Sequence, residues 1–167
     1  TEFIYGTRDI GYYIGDGMVI RDALKTVQKY GDCYYADCPG NHDTVDAMKN
    51  VNEKVEEYRD LAYPHRIGSY YRVRTPGEIK TALMNHGPVV ISMTCKEDAY
   101  IADDTYCYPQ NAKNSGGHCV LIVGWNKRGW IIQNSWGALY ARDGYFTLPF
   151  DFKIDEAWGT TDQEDDY

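Results

Sequence analysis

The apolar positions of this chain fall into two periods, one helical and one strand-like. Val19, Ala23, Leu24, Val27 and Tyr30 recur at helical spacing after Asp16-Gly17 and stop at Gly31, which predicts an amphipathic helix closed by a glycine. Val45, Met48, Val51, Val55 and Tyr58 repeat the pattern, predicting a second, structural helix over 44–58 with Glu and Lys on its outer face. Ile67 to Val73 then reads as a strand. Thr75-Pro76-Gly77-Glu78 combines a capping Thr, a Pro at the first helical position and a Glu three residues after the cap, predicting a helix from Pro76 to about Asn85 that His86-Gly87-Pro88 ends. Val89 to Met93 is an apolar strand. Cys119 to Trp125 and Trp130 to Gln133 are two more, separated by the polar turn Asn126-Lys127-Arg128-Gly129, as in a β-hairpin. Asp143-Gly144 turns the chain into a last strand from Tyr145 to Leu148. Helical and strand-like patterns in one chain are expected to give an α+β architecture.

The flanks are less regular. Residues Thr1 to Asp16 carry many apolar side chains without a clean period, and so abrupt an opening reads as a cut through a fold. Five acidic or amide residues from Asp162 to Asp166 read as a solvated, frayed tail. The 167 residues suffice for one domain or for two small lobes, and 16 tyrosines favour strands and surfaces with a polar edge. A net charge of −8 offers nothing to a phosphate backbone, so nucleic acid is not an expected partner. No apolar run approaches the ~20 residues that cross a bilayer, and no membrane partner is expected. The odd count of five cysteines leaves one free or paired outside the chain. Cys33 and Cys38, five apart, lack a second pair of zinc ligands beyond His42, so a local disulfide or bridges elsewhere are expected in preference to metal. Cys95 and Cys107 flank an acidic excursion, and spacing alone leaves a bridge between them open. No cofactor is expected.

The chemistry concentrates in the hairpin. His118 precedes its first run and Asn134 follows its second, so folding about the turn brings both to one end of the ladder, although the register is not readable. A side-chain carbonyl near a histidine can fix its ring. Cys119 follows His118 directly, and adjacent strand residues point to opposite faces, so Cys119 is not placed to share a proton with it.

Gly116-Gly117-His118, Ile122-Val123-Gly124-Trp125 and Trp130 to Gly137, ending in Asn134-Ser135-Trp136-Gly137, resemble the active-site hairpin of papain-like, cathepsin-type cysteine peptidases. The run from Glu78 through Gly87-Pro88 to Met93 is similar to that family's entry into its right lobe, Gly144-Tyr145-Phe146 to its closing strand, and Gly15 to Gly31 to the last long helix of its left lobe. The resemblance implies a two-lobe fold, with residues 1–62 a remnant of the helical lobe, 63–158 a β-barrel-like lobe carrying the hairpin, and 159–167 an acidic tail. It implies that His118 accepts the thiol proton, that Asn134 orients the ring, and that Trp136 shields their hydrogen bond. It also makes Gly17, with Gly15 close by, a candidate contact for substrate backbone, with plain turn glycines the rival reading. By the same resemblance Cys119 borders the pocket for the second substrate residue on the acyl side. One departure stands out: where the family has a second Trp-Gly, this chain has Leu139-Tyr140, which reshapes the outer wall on the leaving-group side. Pro149 to Trp158 resembles the C-terminal extension of bacterial and viral members.

In this chemistry the attacking group is a thiolate, and in papain-like enzymes it lies in a Cys-Gly-Ser/Ala-Cys-Trp/Tyr context about 130–150 residues before the His and Asn. Counting back from His118 passes Thr1; no such motif and no oxyanion-hole glutamine occur in the 167 residues. The expectation is a cysteine endopeptidase cutting peptide or protein substrates. Its His and Asn lie here and its Cys in a separate N-terminal segment that acts as a partner, so this chain alone is expected to be inactive. The alternative is a papain-fold binding or structural protein. Lysosomal, extracellular and viral settings all stay open.

Overall fold

A computed structural model of the protein describes residues 17–34 and 55–163. Gly15, Cys38, His42, most of the expected helix 44–58 and residues 164–167 lie outside the described residues. The chain divides into two compact units: one takes residues up to Tyr70 together with those from Thr161 on, the other Tyr71 to Thr160.

In the first unit, helix α1 (Ile20–Tyr30) buries Ile20 and Leu24. It ends where the periodicity ends, at Gly31, whose φ of 83° is open to glycine at little cost. A Cβ there would lie 1.8 Å from the Ala62 carbonyl oxygen, so the missing side chain is also what lets the backbones meet. Helix α2 (Val55–Ala62) continues past the expected Tyr58, because Leu61 and Ala62 keep good helical propensity before Pro64 breaks the chain in a 3₁₀ turn at Tyr63–His65. Tyr58 and Ala62 are buried with Tyr30 and Cys33 against them. The side-chain amide of Gln28 donates to the Gly68 carbonyl at 2.8 Å, tying α1 to the start of the next strand.

Strand β1 (Ile67–Val73) leads into the second unit and helix α3 (Pro76–His86). The capping box read from the sequence is formed: Thr75 Oγ1 accepts from the Glu78 N–H at 3.2 Å, and the Glu78 carboxylate accepts from the Thr75 N–H at 3.1 Å. Strand β2 (Val89–Lys96) alternates buried Val89, Ile91 and Met93 with half-buried neighbours, as expected where one sheet face meets a core. The excursion after it holds a small hairpin, β3 (Tyr100–Ala102) and β4 (Thr105–Cys107). The main hairpin pairs β5 (Asn114–Trp125) with β6 (Gly129–Gln133), and β7 (Tyr145–Pro149) and β8 (Ile154–Asp162) complete the set. Gly159 to Asp162, read from the sequence as tail, therefore belong to a strand.

The strands form one eight-stranded sheet in the order β1-β8-β2-β5-β6-β7-β4-β3. It is an open sheet with β1 and β3 at its edges, where a barrel-like lobe had been expected. Its core is built from Val89, Ile91, Met93, Val120, Ile122, Trp130, Ile132 and Leu148, all almost inaccessible to solvent. Together with the helices this is the α+β class expected from the two periodicities.

One irregularity matters more than the rest. β5 and β6 pair Trp125 with Trp130 and Gly124 with Ile131, but then Ile122 with Ile132 and Leu121 with Gln133. Val123 is an extra residue in β5, a β-bulge, and it shifts the register by one position.

Candidate active site

His118 owes its position to strand parity. It lies on the same face of β5 as Val120 and Ile122, whose burial fixes that face toward the core, and it sits opposite Met93 of β2. It is thus the polar residue at the end of an apolar row, half-buried where the core opens to solvent. Cys119, one residue on, is exposed, opposite Ser92 on the other face.

The bulge decides who meets the histidine. Continuing the observed register beyond Leu121 and Gln133 brings Trp136 level with His118, and Asn134 level with Val120 on the same face. Asn134 is then a diagonal cross-strand neighbour of His118, a spacing polar side chains can bridge. Without the extra residue Asn134 would stand opposite Leu121 and point to the other side, because a slip of one position reverses every side chain.

The contacts follow from that placement. Asn134 Oδ1 lies 2.8 Å from His118 Nε2 and 2.8 Å from the backbone nitrogen of Ser135. The Ser135 N–H can only donate, so the amide atom between the two must be the oxygen. The same oxygen can only accept from His118, which places the imidazole proton on Nε2 and leaves a lone pair on Nδ1. The amide therefore selects a tautomer as well as an orientation. Asn134 Nδ2 is buried and has no hydrogen-bond partner among the described residues.

The Trp136 indole stacks on the imidazole, with centroids 4.7 Å apart and planes at 24°, and it keeps 54% of its surface exposed. Gly137 follows with φ 86°, a left-handed turn that takes the chain away directly after the indole. Within the next turn Gly144 N–H donates to the Tyr140 carbonyl at 2.9 Å, and Asn134 N–H to the Gly144 carbonyl at 2.9 Å, so the loop closes on the residue that carries the amide. Tyr140 packs edge-on against Trp136 at 4.8 Å and against Phe146 at 6.2 Å. The site thus stands on an aromatic file that runs back into the core. The sequence showed Tyr140 only as a departure from the family's second Trp-Gly. Its part in the site needed the loop's fold.

The thiols nearby do not suit an attacking role. Desolvation by the protein around it, and secondarily the Glu156 carboxylate, raise the Cys119 thiol above the ordinary cysteine range. Burial does the same to Cys95. Both changes favour the protonated, unreactive form. Among the described residues Cys95, Cys107 and Cys119 are free thiols. Gly17, the described member of the candidate glycine pair, belongs to the first unit and is exposed, with no described residue within 4 Å of where a side chain would project. Among the described residues no group of three or more His, Cys, Asp or Glu side chains could hold a metal ion.

Comparison with known proteins gives this geometry a family. The model of the papain family cysteine proteases matches residues 16–158. An uncharacterized peptidase C1-like protein of Acanthamoeba polyphaga mimivirus is 29% identical over an alignment of 157 positions that covers 84% of this chain and 49% of that protein. A cathepsin B-like cysteine proteinase of Caenorhabditis elegans is 34% identical over 102 residues, 57% of this chain and 27% of that protein. The chain therefore spans about half the length of the viral relative and less of the nematode one. Among solved structures, xylellain, a cysteine protease from Xylella fastidiosa, superposes with a TM-score of 0.76 at 25% identity, over 98% of this chain and 69% of that one. A cysteine protease from Carica candamarcensis gives 0.65 at 16% identity, over 98% and 76%, a likeness of fold alone. Sequence, fold and match agree, and the chain belongs to the papain family of cysteine proteases.

Proposed function

We propose that this chain supplies the base and its orienting amide to a cysteine endopeptidase, and that the nucleophilic thiol comes from a segment outside these 167 residues. The observation that carries the reading is the doubly engaged Asn134 oxygen, which holds His118 in the tautomer whose free Nδ1 can take a proton. His118 Nδ1 removes the proton of the incoming thiol, and the thiolate sulfur attacks the peptide carbonyl. As the tetrahedral intermediate collapses, the C–N bond breaks and the imidazolium returns its proton to the leaving amine. Water then releases the acyl group, with His118 again acting as base. Asn134 keeps the ring aimed through both transfers. Trp136, lying over the imidazole, limits the access of water to the His118–Asn134 bond. Cys119 and the glycines Gly15 and Gly17 serve as substrate contacts, since the raised Cys119 thiol is better suited to a wall than to attack.

On this reading the chain by itself hydrolyses no peptide, and its first partner is the segment that carries the thiol. The test is to treat the complete gene product with a thiol-reactive epoxide and, in parallel, with a fluorogenic peptide. One cysteine outside these 167 residues should become labelled, with loss of turnover. Absence of both labelling and turnover would refute the reading and favour a papain-fold protein that binds without cutting. Thiol-dependent turnover by the chain alone would instead overturn the placement of the nucleophile.

A further inference from the structure

Beyond the indole that covers His118 the second unit has a cavity of about 480 Å³ that the catalytic chemistry does not use. Trp136 and Tyr140 form one wall, Cys95 and the buried Tyr106 contribute to its lining, and the Glu97-Asp98 turn lies at its rim. Its position relative to the reacting groups follows from ring spacings. Trp136 lies 4.7 Å from the imidazole and Tyr140 a further 4.8 Å from Trp136. The cavity therefore begins within about 10 Å of His118, the reach of roughly three residues of extended peptide at ~3.3 Å each. A substrate strand passing the imidazole can place one side chain in it.

The rim of the cavity is acidic. Glu97 and Asp98 are exposed, and among the described residues neither forms an ion pair. Lys96 also lines the cavity, but its ammonium is engaged by other groups: it donates to Asn114 Oδ1 at 2.7 Å and lies 5.7 Å from the Tyr108 ring, while its backbone N–H donates to the Tyr106 hydroxyl at 3.0 Å. What remains is an aromatic wall beneath two carboxylates that pair with no described cation. Such a surface suits a long cationic side chain, whose stem packs on the rings while its head reaches the rim.

We infer that the cavity between Trp136, Tyr140 and the Glu97-Asp98 turn is a specificity subsite that selects arginine or lysine within three residues of the bond cut. The inference rests on the peptidase reading and adds a substrate class to it. The two carboxylates are solvent-exposed, so the discrimination is modest and screened by salt; pairs of this kind correspond to a preference of about two- to fivefold in kcat/KM for Arg over Glu at one position.

The experiment uses the complete gene product and a matched set of fluorogenic peptides in which each of the three positions on either side of the cut carries Arg, Gln or Glu in turn. At one position Arg should exceed Glu by about that factor, and the ratio should shrink between low and high salt. In Glu97→Lys/Asp98→Lys the order should reverse, with Glu peptides cut faster than by the parent enzyme. A gain of that kind cannot come from misfolding. An active enzyme with no charge preference at any position overturns the subsite and leaves the peptidase reading intact, as does a preference that the double substitution leaves unchanged. Failure to cut any peptide in the set overturns both.

Discussion

Replacing Asn134 by alanine separates what the side chain does for the fold from what it does for the site. Its oxygen accepts two hydrogen bonds of 2.8 Å, each worth about 0.5–1.5 kcal/mol net. Against these stands the buried Nδ2, whose unmet donor capacity costs about 1–3 kcal/mol and disappears with the side chain. The two contributions oppose each other at similar size. Asn134→Ala should therefore change the unfolding free energy by no more than about 1 kcal/mol, an unusually small effect for the loss of a twice-bonded residue. The imidazole should respond more clearly. Loss of one bond of about 1.4 kcal/mol lowers the preference for the Nε2–H tautomer by about tenfold. The assay is denaturant unfolding of the chain, with nitrogen-15 shifts of the His118 ring read at a pH where the imidazole is neutral. Destabilisation of 3 kcal/mol or more would show that Asn134 is chiefly structural. An unchanged tautomer ratio would show that the amide does not control the proton, and either result would refute the argument.

Other consequences are simpler to state. Ile132→Ala, at a position with no exposed surface in the centre of the sheet, should cost about 2–5 kcal/mol in denaturant unfolding. Gly31→Ala places a methyl group 1.8 Å from the Ala62 oxygen at φ 83°, and should destabilise the first unit by at least about 2 kcal/mol. Thr75→Ala removes a formed cap and should cost about 1 kcal/mol. Backbone N–H groups of Arg74 and Thr75 lower the Glu78 carboxyl below its ordinary range, so its contribution is present above the ordinary carboxylate pKa and is lost as pH falls through the folded value. The difference in unfolding free energy between the parent chain and Glu78→Ala should accordingly shrink on acidification. Cys119 has the opposite sign: its raised thiol pKa contributes stability below the ordinary cysteine range that is lost as pH rises through the folded value. Alkylation of Cys119 by iodoacetamide, followed by mass spectrometry, should stay slower than that of a free peptide thiol until pH passes that range.

Much of this protein is written in short-range patterns. The helix that stops at Gly31, the capping box at Thr75 and the alternating strand at Val89 each depend on residues within a few positions of one another, so sequence alone reveals them. The opposition of His118 and Cys119 across β5 is equally local, since it needs only the two-residue period of a strand. Asn134-Ser135-Trp136-Gly137 marked the candidate site before any fold was known. What sequence could not determine is how β5 and β6 register. No local signal announces that Val123 is left unpaired, and that single extra residue puts Asn134 on the side of the sheet where His118 stands. The same holds for the excursion between β2 and β5, whose acidic turn meets Trp136 and Tyr140 from more than 35 residues away. Cross-strand register and loop closure are set by the total burial of distant side chains against one core. A pattern read along the chain carries only one side of each such pairing.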